Sequence, residues 1–490
     1  MSRAGKSRMK VARMGLVLFS LASSFLAAQE TQQQLALHQQ RAQEFEVKQD
    51  FEGAIREYRV LLRSIPNNPE LESNLGVAFY FHGDLGEAAE VLRRAVAHNS
   101  TLFAPHLFLG LVLAKQSRTD SAITELQKAE AISESDSLVH TWLGYEYSAQ
   151  SHFEKASEQL RIAAQLKPDD QDVWFALGRC YLELGKAATE QLLREAPDGA
   201  RTWQLAGEQY EAQGNDGKAL QFYAAALQRR PDLSGLREKI TALGRMAPDS
   251  SAPGLKASEF EDRMYQSVHE DESRATDAFE HISHLDPESY RAHQVMADSA
   301  AASDHFDDAI REYRIVLDKK SDLPEVHGDL CNALSRTARI EEAIRECDAE
   351  LALSPYSAEA YTQAARVRLL AEQEAQAEPL LHKALALDHP PSAAYKLLGN
   401  IDLNRKRYPA AVQELNKFLA SEPRDASAYF LLMRAYKGIG DTEKMNQAIA
   451  AYKHYSNLSK GNEDASKVLD KSSEQDLSLE QAKKKDSGQL

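Results

Sequence analysis

Five histidines gather around one part of the chain: His269, His281, His284, His293 and His305. Imidazole is a common zinc ligand, so the grouping raises the question of a metal. His281 and His284 stand three apart and can share one helix face. But "HISH" has no cysteine near it and the chain has no His-Glu-x-x-His pattern, so a zinc protease is not supported. A solvated helix face accounts for the same residues. "GNDGKA" (Gly214–Ala219) holds a Gly-Lys pair without the spacing of a phosphate loop or a strand before it, which argues against nucleotide binding. Cys331 and Cys347 fall on the two helices of one pair at inward-facing positions. They are expected as small buried hydrophobes, although an oxidising compartment would permit a disulfide. Cys180, beside Tyr181 in an apolar helix, is expected in the core. No catalytic residue, metal ligand or cofactor-binding residue is expected.

The elements that would position these residues repeat. Ala54, Ala88, Ala122 and Ala156 stand at one constant interval, and Ala309, Ala343, Ala377 and Ala411 keep the same one. Gly76, Gly110, Gly144 and Gly178 share that step, and breaks recur at Pro66, Pro168, Pro231, Pro355 and Pro423. A fixed step of this length marks an array. In Ser137–Asp170 the pattern reads as two amphipathic helices, with Leu143, Tyr147 and Leu160 on facing sides. Gly144 is expected against Ala156 where the helices come closest. Ala163 admits the next pair, and Pro168 turns the chain.

The spacing resembles the tetratricopeptide repeat family, whose pattern W, L-G, Y, A, F, A, P spans roughly 34 residues. It is carried by Trp174, Leu177, Gly178 and Tyr181, and again by Trp203, Gly207, Tyr210, Ala219, Tyr223, Ala226 and Pro231. The resemblance covers roughly residues 35 to 456. It implies an all-α, right-handed superhelical solenoid of about eleven helix-turn-helix units. These begin near Leu35, Pro69, Phe103, Ser137, Gln171 and Ala200, and then near Tyr290, Pro324, Ala358, Ser392 and Ala426. Two blocks are expected: six units over 35–233 and five over 290–456. Trp203 follows Trp174 sooner than a full period allows, so the fifth unit is expected to have a shortened second helix in "KAATEQLLREAP". Residues 234–289 read as an irregular joint with a degenerate pair, Ala278 standing near the expected alanine. They also fit one poor unit continuing the array.

In the resembled family, ligands meet first-helix side chains that point away from the second helix. Here those positions change character along the chain. Tyr80, Phe81, Leu107, Leu111, Tyr145, Phe175 and Leu182, with Phe108 and Trp142 beside them, make an apolar and aromatic half. Gln294, Asp298, Asn332, Arg336, Arg366, Lys396, Asn400 and Arg434 make a polar one. The aromatic half is expected to hold an apolar or aromatic segment of a partner protein. Packing within the superhelix is the rival explanation, and strong burial of Tyr145 and Phe175 would favour it. The carboxylate clamp of chaperone-binding relatives is not matched: its positions hold Gln39, Gln43, Asn74, Ala104 and Phe108, of which Asn74 alone fits. The asparagine ladder of sugar-transferring relatives is missing too.

Of the 490 residues 43% are apolar, enough for a large core, and the net charge of −16 argues against a nucleic-acid partner. "MSRAGKSRMKVAR" carries five basic residues and no acid, and a short apolar run ending in small residues follows. Residues 1–28 are therefore expected to be a secretory signal peptide, with membrane attachment only if the segment stays uncleaved. Residues 457–490 are polar and of mixed charge, a tail too poor in apolar side chains to fold alone. The expected function is a non-enzymatic exported scaffold, in the periplasm or outside the cell. The alternative is an adaptor subunit of an envelope enzyme complex, a peptidase or glycan-synthesis machinery.

Overall fold

The computed structural model describes residues 32–244, 258–387 and 389–461. The expected signal peptide and the chain after residue 461 lie outside the described residues. Among those described, the regular structure is helix throughout, twenty-three α-helices without a strand. The chain divides into two compact units, Met1–Gln150 and Ser151–Leu490. The division falls within the fourth period, and not at the expected joint.

The first unit contains α1 (residues 32–47), α2 (Phe51–Ser64), α3 (Pro69–His82), α4 (Leu85–His98), α5 (Phe103–Lys115), α6 (Thr119–Ile132) and α7 (Ser137–Ala149). The second opens with α8 (Phe153–Leu166) and α9 (Gln171–Glu195). Then come α10 (Ala200–Ala212), α11 (Asp216–Arg229), α12 (Ser234–Ala242) and α13 (Glu259–Leu285). Five hairpins follow: α14 (Tyr290–Ala302) with α15 (Phe306–Lys319), α16 (Pro324–Arg336) with α17 (Ile340–Leu353), α18 (Ala358–Leu370) with α19 (Glu374–Leu385), α20 (Ser392–Asn404) with α21 (Tyr408–Ser421), and α22 (Ala426–Ile439) with α23 (Thr442–Gly461). Helix α23 thus continues past residue 457, where the polar tail was expected to begin.

Two local signals set the period. The residue before a first helix often caps it: Asn68, Asp136, Asp170, Ser289, Ser357 and Asp425 each accept a hydrogen bond from a backbone N–H two or three residues on. The turn between the helices of a hairpin passes through one left-handed residue, at Gln49, Gly83, Ser117, Gly214, Asp304, Ala338, Glu372, Lys406 and Gly440. Packing then locks the helices. A Cβ at Gly76 would lie 2.5 Å from Leu92, and one at Gly110 would lie 2.7 Å from Leu126. The tight spot is therefore glycine against the branched residue sixteen positions on, while the period's alanines Ala88 and Ala122 are fully buried nearby. Glycine is needed because the leucine occupies the space a Cβ would take.

The fifth repeat corrects the sequence reading. Gly185 occupies the turn position, yet α9 runs through it without a break. Its partner is α13, and a Cβ at Gly178 would meet Phe279 at 2.5 Å, far along the chain where sixteen positions is the rule. The register alanine is Ala275, which is buried and stands one full period before Ala309; Ala278 sits one turn further along the same helix. Nothing has been shortened: an insertion splits the turn. It lengthens both helices and carries α10, α11 and α12 between them. Ala188 and Leu192 of the extension pack with Val268 and Leu205, flanked by Phe260, Met264 and Tyr265. Asp262 of α13 receives Nε of Arg201 at 2.6 Å and Nη1 of Arg230 at 2.8 Å, tying the inserted hairpin down.

Gly110→Ala should destabilise the protein by about 1–3 kcal/mol, because the new methyl must displace Leu126. Gly86→Ala, in α4 with no atom within 4 Å of the new methyl, should instead stabilise by about 0.5–1 kcal/mol. Urea unfolding of both variants checks the pair; equal midpoints would contradict this account of the packing.

Candidate functional site

In the first compact unit four rings form a ridge. Phe51 opens α2, Tyr80 and Phe81 lie in the last turn of α3, and Phe108 is on α5. Phe51 stacks on Phe81 with centroids 5.2 Å apart. Phe81 and Tyr80 meet Phe108 edge-on at 5.8 and 5.4 Å. Lys115 Nζ lies 5.0 Å from the Tyr80 ring centre. Phe81 remains 53% exposed, a large apolar surface left in water. Phe51 escaped the sequence reading, which considered first helices alone; the aromatic that opens other second helices, Phe153 and Phe306, was the available signal.

The other aromatic-half residues divide. Trp142 and Tyr145 of α7 are partly buried with rings edge-on at 5.7 Å. Leu182 is exposed on α9. Leu107 and Leu111 are buried, because α5 is apolar nearly all round and has α3, α4, α6 and α7 as neighbours. Phe175 is only 4% exposed. It packs on Phe279 at 6.1 Å, with the Arg291 guanidinium 4.6 Å from its ring. Leu107, Leu111 and Phe175 therefore belong to the packing and not to an open surface.

The second unit's first-helix face is charged. Arg291 of α14 donates through Nε to Asp172 at 2.6 Å, and through Nη1 to Gln294 at 2.5 Å and Glu325 at 3.3 Å. Burial alone would raise the Asp172 carboxyl, but Arg291, with Tyr290 and Lys320, holds it below its ordinary range. Tyr313 donates to Asp298 at 2.7 Å. Burial pushes Asp329 up, Asp298 adds to the effect, and Arg179 opposes it. Glu350 of α17 is 9% exposed. Burial, then the negative charge of Asp329, Glu359 and Glu325, pushes its carboxyl up to about 8. A Cβ at Gly328 would come 2.9 Å from both Glu350 carboxylate oxygens, so the glycine makes room for them. One turn along each helix a disulfide joins Cys331 to Cys347, clipping α16 to α17. The expected pair of buried thiols is thus a cross-link.

Two of the remaining polar candidates are engaged. Arg336 reaches Asp304 at 3.6 Å and lies over Phe306. Lys396 donates to Asp425 at 2.8 Å. Asn332, Arg366 and Asn400 are partly buried and Arg434 is exposed. The histidines have scattered partners: His269 meets Glu208 at 3.1 Å, His281 meets the Pro168 carbonyl at 3.0 Å, and His293 meets Glu312 at 2.7 Å. Among the described residues no three His, Cys, Asp or Glu side chains are grouped to hold a metal.

The profile described as "Tetratricopeptide repeat" matches residues 40–102, 74–137 and 143–190, and the first two segments hold the glycine-to-leucine hairpins described above. The chain is a tetratricopeptide repeat protein. It is similar to the human protein O-mannosyl-transferase TMTC1, at 29% identity over 196 residues, 37% of this chain and 22% of that protein. The match thus spans about a fifth of the relative's length. Among solved structures, MamA from Desulfovibrio magneticus RS-1 is similar at 18% identity, covering 41% of this chain and 96% of that one, with a TM-score of 0.29. Pseudomonas aeruginosa PilF is similar at 21% identity, covering 40% and 87%, with a TM-score of 0.34.

In this tetratricopeptide repeat protein the buried Glu350 links stability to pH. Its folded carboxyl titrates near 8 against an ordinary 4.5, so between those values the folded chain keeps a proton that the unfolded chain releases. Stability from this group is complete below about pH 4.5 and lost as pH rises through 8. Glu350→Gln should flatten the fall between pH 5.5 and 8.5 in urea unfolding; an unchanged slope would contradict the assignment.

Proposed function

We propose that the protein is a non-enzymatic, exported scaffold that captures a partner protein through an apolar segment laid on the aromatic ridge of the first compact unit. The observation that carries this is the cluster of Phe51, Tyr80, Phe81 and Phe108, with Phe81 half in water. Aromatic anchors of this kind dominate protein interfaces. A helical-repeat array supplies extended surface by stacking, with no need of a catalytic centre. Export is supported by the basic, then apolar, amino-terminal sequence, and by the Cys331–Cys347 disulfide, which persists in oxidising compartments. A second reading, an adaptor subunit of an envelope enzyme, draws on the similarity to a transferase and differs in one outcome: an active enzyme would co-purify with the chain.

Crosslinking in native cells identifies the partner for the test. Tyr80→Ser, Phe81→Ser and Phe108→Ser together should weaken its capture at least a hundredfold, each anchor contributing about 1–3 kcal/mol. Helicity should persist, and wild-type capture should hold between 50 and 500 mM salt. Undiminished capture by the triple variant would remove the ridge from the function. Amino-terminal sequencing of native protein tests export separately: the chain should begin near Gln29, and an intact Met1 in a soluble cytoplasmic pool would overturn it.

A further inference from the structure

The split repeat leaves a cavity of about 420 Å³ within the second compact unit. Helix α9 forms its floor with Trp174, Leu177 and Tyr181, and α8 and α13, both packed on α9, form its walls. Register explains why the space exists. Eight residues after the period's alanine, α15, α17, α19 and α21 place Leu317, Leu351, Leu385 and Leu419, where α8 has only Ala164. Four hairpins also carry a polar bridge between residues nineteen apart: His38–Glu57, His106–Glu125, His293–Glu312 and His327–Glu346. One period after His140 and one period before Glu312, the split repeat has Trp174 and Ala278 instead. Methyl groups thus stand where a leucine and a glutamate stand elsewhere, and an indole stands where a histidine does.

The cavity has an apolar end and a charged one. At the first, Nε1 of Trp174 and Nε2 of His281 both donate to the Pro168 carbonyl, at 2.8 and 3.0 Å. What remains there is ring surface with Leu177 and Ala278. Tyr181 lies about 10 Å further along α9. At that end stand Arg161 of α8 and Arg274 of α13, and both charges reach the Tyr181 phenol. Arg274 is also held by Asp271 at 3.1 Å and Glu270 at 3.7 Å. Arg161 is not: its side chain makes no ion pair or hydrogen bond among the described residues. The same is true of Asp277, which lines the α13 wall between the two ends. Both are exposed, within reach of a solute.

One cavity therefore presents an apolar floor, an uncommitted cation and an uncommitted anion that do not pair with each other. An apolar pocket with a few converging polar groups is the usual form of a small-molecule site. A fatty acid would leave Asp277 unanswered, and an amine would leave Arg161 so. A residue inside a polypeptide has neither charge on its main chain. We infer that this cavity binds a free α-amino acid with an apolar side chain. Its carboxylate meets Arg161 and Arg274, its ammonium meets Asp277, and its side chain lies against Trp174, Leu177 and Ala278. The inference goes beyond the scaffold reading and shares no residue with the ridge, so the two fail separately.

The test is calorimetric titration of L-leucine and of L-phenylalanine into the full chain at pH 7 and 150 mM salt. At least one should bind, one molecule per chain. Its amide (no carboxylate), its N-acetyl derivative (no ammonium) and glycine (no side chain) should each bind at least tenfold more weakly. Arg161→Gln and Asp277→Asn should each weaken binding at least tenfold, whereas Phe81→Ser should change it less than twofold. Ala164→Leu restores the side chain that the later hairpins carry. It should abolish binding while the protein melts no lower than the wild type. The inference is overturned if neither amino acid binds, if the amide matches the free amino acid, or if Ala164→Leu binds undiminished. An N-acetyl derivative that binds as well would overturn it too, making the cavity a seat for the last residue of a polypeptide.

Discussion

Four of the hairpins rest on a contact between a residue with no side chain and one that needs its space. Gly76 with Leu92, Gly110 with Leu126, Gly207 with Tyr223 and Gly399 with Leu415 are each sixteen positions apart and tighter than any Cβ would allow. Such a contact fixes the register of two helices as well as their distance, since sliding by one residue brings a side chain into the hole. The rest of the repeat follows: a cap before the first helix, a left-handed residue at the turn, and a small residue where the partner passes. Gly178 with Phe279 obeys the same rule across the insertion. What the array keeps constant is the contact in space, and the sequence interval can change.

Much of this was legible because its causes are local. First helices begin at Pro69, Phe103, Ser137, Gln171, Ala200, Tyr290, Pro324, Ala358, Ser392 and Ala426, where capping residues and breaks mark the boundaries. The fifth repeat was not legible, for a physical reason. "KAATEQLLRE" has the helical periodicity of a short second helix and equally that of an extended first one. Periodicity reports that a helix has a face, not which helix covers it. Burial along the aromatic half failed for the same cause. Phe175, Tyr80 and Phe81 share a residue class, but Phe279, from a helix far along the chain, covers the first. The two cysteines were correctly set facing inward; only their distance in space makes them a disulfide.

Charge shows how totals and places differ. A net −16 predicts repulsion of polyanions but gives no address. In the fold, part of that excess is gathered on α14, α16 and α17, where burial and mutual repulsion hold protons on carboxyls. Gly328 is part of this arrangement: a side chain there would evict the Glu350 carboxylate.

The split fifth repeat also governs how the chain can assemble. In an ordinary array each hairpin closes as soon as its two helices exist, and folding spreads between neighbours. Here α9 must wait for α13, and all of α10, α11 and α12 lies between Glu195 and Glu259. Closing that span in place of a short turn costs about 2–3 kcal/mol more in chain entropy, less whatever the folded α10–α11 hairpin recovers by drawing its ends together. On a chain emerging from the ribosome, the amino-terminal hairpins are complete while α9 still exposes the face that Phe279 will cover. The middle of the molecule is thus the part whose closure waits on the most distant stretch of chain.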